Sequence, residues 1–486
     1  MKDCFIVLDL GSSSVRAMAF SADGGTVAVV RRPIRAEFPR PGLAEYDGAF
    51  FGDSALGAYH SLLDEIRPAG WSPVSLGVTG QRSTVALWDR ASGEILAPFL
   101  SWQDGRASMM LDTVSATQDE VHAITGLYKT QYYAAPKIAW AIENLLEVRR
   151  AARAGRLCAG PLNAYVVWRL TCGKVFACDP THAQRMLIYD IHNLRWDDRL
   201  ISEFGVYASA LPEVRPSVGD YGLCADTGIP IRVSIGDQQS AAIGMGVVGA
   251  GQSAVNYGTG AFFLANTGAD AADVRGLLTS IACQNGDEIS YLLEASVNSA
   301  GSALDWLKSV GVPFNYDDCE KLCRQSVNPV MFLPALGGLG SPYWDFDVSP
   351  VITGILPTTT TADIVRGALD GIAHCIADNV LLMRKSGVVI NSGRASGGLS
   401  DCDYLLSYQS AIFGFPLERA AVKEITSFGT AYLLARDGGL EPAGWAGLAT
   451  DRVFMPELGP QEVESALARW RDFSRLSIEL GHRLAG

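Results

Sequence analysis

The sequence is short of charge, and short of positive charge in particular. Only 19% of its 486 residues are charged, with 39 Lys and Arg against 52 Asp and Glu, a formal sum of −13. A surface this acidic repels phosphate backbones and anionic lipid, which excludes nucleic acid and membrane surfaces as partners and points to small molecules. The ten cysteines are scattered, without a CxxC pair or a histidine partner at finger spacing, so no zinc site is expected. They read as thiols in a reducing, cytoplasmic setting. No signal peptide opens the chain, since Asp9 already interrupts its first apolar run. The longest charge-free stretch, 238–269, is broken by polar residues and glycines and should not span a bilayer. Several nucleotide and hydrolase signatures are also missing: the GxxxxGK[ST] loop, a GxGxxG after a strand, the HRD and DFG pair, a GxSxG elbow and an HExxH helix. Rossmann dehydrogenases and P-loop transferases are thereby excluded.

What is present is a globular, 48% hydrophobic chain long enough for two or three domains. Residues 5–11 read as a buried strand ending in glycine, 13–21 as a returning strand, and 26–34 as a third after an Asp23-Gly24 turn. A helix is predicted over 50–66, short strands over 74–79 and 85–89, and helical stretches over 109–156. The opening device returns near mid-chain, where a strand from Gln252 enters the turn Gly258-Thr259-Gly260 and a new strand begins at Ala261. Such a repeat implies two similar domains facing one cleft. Thr360 with Asp363 forms a capping box for a long helix stopped by Gly387. A strand is predicted over 388–391, a glycine turn over 392–398, and helices over 404–413 and 462–484.

Three glycine and hydroxyl turns stand out: Gly11-Ser12-Ser13-Ser14, Gly258-Thr259-Gly260 and Ser396-Gly397-Gly398. Polyphosphates need backbone N–H donors on several sides with no bulky side chain in the way. Asp9 lies two residues before the first turn, and an acid beside phosphates makes sense when a cation lies between them, as Mg²⁺ carried by a nucleotide would. Asp237, just after a strand-like 231–235, could accept the proton of an attacking hydroxyl; turn chemistry is its simpler explanation.

The set Asp9-Leu-Gly-Ser-Ser-Ser-Val-Arg16, Gly236-Asp-Gln-Gln239, Asn256-Tyr-Gly-Thr-Gly260 and Gly337-Gly-Leu-Gly-Ser-Pro-Tyr-Trp-Asp345 resembles the FGGY carbohydrate kinases in order and spacing, over nearly the whole chain. Within that family it is most similar to glycerol kinases. The resemblance implies an α/β fold of two actin-like, ribonuclease-H-like domains with an interdomain cleft: 1–245 for sugar or polyol, 246–486 for ATP. It implies Asp237 as general base and Asp9, with Asp237, as the acids beside Mg²⁺. Ser12, Ser13, Gly258, Thr259, Gly301 and Gly397 would contact ATP, as would Asp403, which stands where the family often has Asn. Gln81, Arg82, Trp102, Tyr132, Gln238 and Phe262 would join Asp237 around the acceptor.

One departure concerns the acceptor. Glycerol kinases carry Glu directly after that arginine, whereas this chain has Ser83, which leaves room for a longer or differently decorated polyol. Asp104-Gly-Arg106 resembles a segment of xylulose kinases. The expected activity is ATP-dependent phosphorylation of a small polyol or sugar by a homodimer or homotetramer. A pentulose kinase acting on xylulose or ribulose is the alternative within the family, and a non-catalytic sugar and nucleotide sensor the alternative outside it. His182 is read as structural and Glu424 as a helix-start acid.

Overall fold

A computed structural model describes residues 1–421, 424–441, 445 and 448–485. The first half is built on a five-stranded sheet in the order Ile231–Gly236, Trp71–Gly80, Lys2–Leu10, Ser14–Ser21, Thr26–Pro33. Lys2–Leu10 is the axis: its last seven residues are buried, it runs parallel to Trp71–Gly80, and it pairs antiparallel with Ser14–Ser21. The helix Gly48–Ile66, capped by the Asp47 carboxylate accepting from the Phe50 amide, covers one face.

The second half repeats the plan. Its sheet runs Leu278–Asn285, Glu288–Val297, Ala261–Gly268, Gln252–Tyr257, Ser392–Gly397, Leu417–Ala420, Thr450–Phe454. Removing the two edge strands leaves five in the same order and the same sense as the first sheet. The long helix Thr361–Lys385 packs on this sheet, with both halves of the predicted capping box formed.

One predicted boundary is wrong. Residues 388–391 are not a strand; the strand is Ser392–Gly397, the segment read as a glycine turn. Its small residues are a packing requirement. A Cβ on Gly393 would lie 2.7 Å from Leu417, and one on Gly397, where φ is 90°, would lie 2.1 Å from the Tyr257 carbonyl.

The halves interlock instead of abutting. The helix Ile425–Asp437, which lies between the second sheet's last two strands in the chain, packs on the first sheet and crosses the helix Asp237–Gly244. The crossing is so close that a Cβ on Gly429 would sit 1.8 Å from the Ser240 carbonyl. Ser240 Oγ donates to the Thr426 carbonyl at 2.7 Å. No helix among the described residues is long and apolar enough to cross a membrane.

Candidate active site

A cleft of about 1450 Å³ is lined by Ser12 of the first turn, by Asp237 and Gln238 at the start of their helix, and by Phe262, just after the second turn. Parallel strands release their side chains at their carboxyl ends, and here those ends carry Asp9, Gln81-Arg82 and Asp237 together. Asp237 is the first residue of its helix, its Oδ1 accepting from the Gln238 amide at 2.7 Å and facing Arg82 Nε at 3.5 Å. Burial raises its pKa above the usual carboxylate value, with Arg82 the chief opposing influence. Asp9 is 1% exposed and paired with Arg16 at 2.5 Å. Burial lifts it to about 6; Arg16 pulls it back and the charge of Asp237 pushes it further up. The two acids therefore feel one another across the gap that separates the buried Asp9 from Asp237 at the cleft.

That gap suits a cation brought by a nucleotide: a positive charge between the carboxylates would relieve the repulsion that raises Asp9. Among the described residues no group of three or more His, Cys, Asp or Glu gathers to form a metal cage of its own. Ser12 and Ser13 lie in the turn closed by the Gly11 amide on the Ser14 carbonyl at 3.1 Å, and their own amides have no backbone partner among the described residues.

The corresponding turn of the second half is built from glycine contacts. Gly301 opens the helix Gly301–Ser309, and its amide donates to the Gly258 carbonyl at 3.0 Å, while Ser302 donates to Thr259 at 3.0 Å. A Cβ on Gly301 would lie 2.8 Å from that Gly258 oxygen. Gly397 touches Tyr257 immediately before the turn, so Gly258, Thr259, Gly301 and Gly397 form one backbone-lined corner. The Asp403 carboxylate is engaged by both Arg419 and Arg452.

On the acceptor side Trp102, Tyr132 and Phe262 line the cleft with 42%, 47% and 41% of their surface exposed, an arrangement that leaves large apolar faces open to a ligand. Trp102 Nε1 donates to Ser12 Oγ at 3.2 Å, linking this wall to the first turn. Gln238 also lines the cleft. Gln81 is 2% exposed and spends its amide internally, donating to the Gly11 carbonyl at 3.1 Å and accepting from Thr84 Oγ1 at 2.8 Å. It braces the turn and also lines the cleft. Ser83 adopts a φ of 66°, and its carbonyl is held by Lys137 Nζ at 3.1 Å. Lys137 is fully buried, and burial draws its pKa down to about 7.

Other readings change with the structure. Asp104 is buried and bound to Arg106 and to the Ala44 amide at 2.7 Å, so that segment is a structural clasp outside the cleft. Glu424 stands at the start of its helix but makes no capping bond; it pairs with Arg16 and Arg31 across the halves. His182 is held by Asp179 at 2.7 Å with Nε2 unpartnered, and its charge lowers the pKa of Asp237. Glu294 was missed altogether. It is 6% exposed and bonds both Arg82 at 3.0 Å and Arg185 at 2.5 Å. Its signal was a lone carboxylate inside the apolar run Tyr291-Leu-Leu-Glu-Ala.

Comparison with known proteins agrees with this geometry. The pattern described as "FGGY family of carbohydrate kinases, N-terminal domain" matches residues 4–244, and the C-terminal domain of the same family matches 253–437. A glycerol kinase of Thermus brockianus is 35% identical, the match covering 96% of this chain and 97% of that one. One of Rhodopirellula baltica is also 35% identical over 96% and 89%. The structure of Plasmodium falciparum glycerol kinase with ADP superposes with a TM-score of 0.93 at 26% identity, covering 98% of both chains. A xylulose kinase from Rhodospirillum rubrum shares the fold, with a TM-score of 0.89 at 23% identity and 99% of both chains covered. The repeated sheets, the shared cleft and these matches have one conclusion: the chain belongs to the FGGY family of carbohydrate kinases.

Proposed function

We propose that this kinase transfers the γ-phosphoryl group of ATP to a hydroxyl of a small polyol, as its glycerol kinase relatives are named for doing, with Asp237 as the general base. The observation that carries the reading is the placement of Asp237 in the cleft beside three half-exposed aromatic side chains, with the buried Asp9 near enough for its charge and that of Asp237 to interact. Residues 1–245 bind the acceptor and residues 246–486 bind ATP. Trp102, Tyr132 and Phe262 hold the carbon skeleton, and Arg82 donates to its hydroxyls. Asp237 orients the attacking hydroxyl and takes its proton as bonding to phosphorus advances, a contribution of about 10²–10⁴-fold. The amides of Ser12, Ser13 and Thr259 receive the phosphate oxygens, and Gly258, Gly301 and Gly397 keep the backbone open to them. Mg²⁺ bound with ATP supplies charge neutralisation on the phosphates, beside Asp9 and Asp237. Joining of the halves over the cleft excludes water, which would otherwise compete as acceptor. The setting is cytoplasmic, consistent with all ten cysteines being free.

A second reading, phosphorylation of a pentulose, is favoured by the short Ser83 side chain at the cleft wall and by a volume of about 1450 Å³, ample for more than three carbons. Incubation with MgATP and glycerol, erythritol, xylulose or ribulose, with ADP release and product mass measured, separates these readings. Tight binding of an acceptor without any phosphorylated product would instead indicate a sensor.

A further inference from the structure

Arg82 is shared between three acceptors. Its Nη1 donates to Glu294 at 3.0 Å and to Gln239 Oε1 at 3.3 Å, while Nε faces Asp237 Oδ1 at 3.5 Å. Nη2 has no acceptor among the described residues, and the side chain lines the cleft. A guanidinium is planar, so fixing Nη1 and Nε fixes where Nη2 points. The group that fixes Nη1 belongs to the other half of the molecule: Glu294 lies on the second sheet's strand Glu288–Val297. The same carboxylate oxygen accepts from Arg185 Nη2 at 2.5 Å, and that atom also donates to Ser280 Oγ at 2.7 Å. Arg185 is 4% exposed, lines the cleft, and its Nε has no partner.

Two cations beside a single catalytic carboxylate, one buried and one partly so, would bind it and blunt it. Glu294 offsets both. Burial by itself would raise its pKa, yet Arg185 and Arg82 hold it at about 2, so it stays charged throughout the working range.

We propose that Glu294 is a positioning residue for the acceptor: it holds Arg82 so that Nη2 addresses the acceptor's hydroxyls, and it keeps Arg82 and Arg185 from closing on Asp237. The inference rests on the kinase reading above and extends it by adding to Phe262 a second, charged group of the second half that serves acceptor recognition. Gln239 and Ser280 are the neutral supports of the same arrangement.

The test uses the full chain with MgATP and whichever of glycerol, erythritol, xylulose and ribulose it phosphorylates best. E294Q should lower kcat/KM for the acceptor by about 10–100-fold, the usual cost of losing a partner that orients a working side chain, and should leave the ATP KM within about twofold. E294D, which keeps the charge but withdraws it by one methylene, should fold normally and show the same split in milder form. Adding R185M to E294Q should recover at least about threefold of the loss, because the second change removes the cation left uncompensated by the first. Acceptor kcat/KM values within about twofold of wild type in both single variants would overturn the proposal and leave the kinase reading standing. So would parallel losses in acceptor and ATP KM without rescue by R185M, the mark of simple structural damage. A wild-type chain that phosphorylates none of the four acceptors would overturn both.

Discussion

The two halves share a strand order but stabilise their first turns by different physics. Gly11–Ser13 is backed by charge: Asp9 beneath it, Arg16 beside it, and Glu424 arriving from the other half to pair with Arg16. Gly258–Gly260 is backed by contact between backbones, with Gly301 and Gly397 pressed against Gly258 and Tyr257 and no ion pair at its base among the described residues. Equal topology therefore does not mean equal work. A charged floor answers to pH and to the loss of one charge, whereas a glycine-built corner answers to any added side chain.

The contrast can be broken from the charged side with the largest effect. D237N should reduce kcat by about 10²–10⁴-fold with the ATP KM nearly unchanged; steady-state kinetics retaining more than about a tenth of the rate would refute the base assignment. Because the base must be ionised and its pKa is raised, wild-type kcat/KM should climb with pH along a limb displaced above 3.8. D237N should flatten that limb.

On the glycine side, G397A forces a side chain into a left-handed residue and within 2.1 Å of a carbonyl. A cost of about 1–3 kcal/mol from the backbone alone is expected, before the clash is counted, together with a raised ATP KM and an unaltered acceptor KM. Denaturant titration and kinetics check the two parts. Between the two turns, W102A should raise the acceptor KM about tenfold, equivalent to ~1.4 kcal/mol, and leave ATP binding intact.

The smallest effect lies away from both turns. Asp378 of the long helix accepts from Trp470 at 2.9 Å and Tyr343 at 3.1 Å, and burial raises its pKa to about 6. A raised acid contributes stability that is full below 3.8 and is lost as pH rises through about 6. D378N removes that titration, so its melting temperature should gain on wild type between about pH 4 and pH 7. A constant difference across the range would refute the assignment.

Much of this was legible in residue order. The strands from Lys2 to Pro33, the capped helix Thr361–Lys385 and the strand into Gly258 follow from local patterns: buried alternation, a capping box, glycine at a turn. Asp237 and Asp9 were conspicuous because one is an acid directly after a strand and the other a lone acid inside an apolar strand. The strand Ser392–Gly397 was not, since its glycines answer to neighbouring strands and not to a turn of their own. Glu294 was missed, and the partners of Asp104 and Asp403 went unread, for a related reason. The partners that define them, Arg106 with the Ala44 amide, Arg419 with Arg452, and Arg82 with Arg185, are assembled by the fold.

Sequence alone determined the kind of molecule: an acidic α/β chain with a duplicated strand-and-turn device and two acids placed to face it. Hydrophobic periodicity and glycine act over a few residues, so they can be read without knowing the fold. Only the tertiary structure decided which charges meet, that a carboxylate from the second half steadies an arginine of the first, and that Asp403 is already engaged. Electrostatic partnership depends on distance in space, and most of these partners lie tens to hundreds of residues apart along the chain.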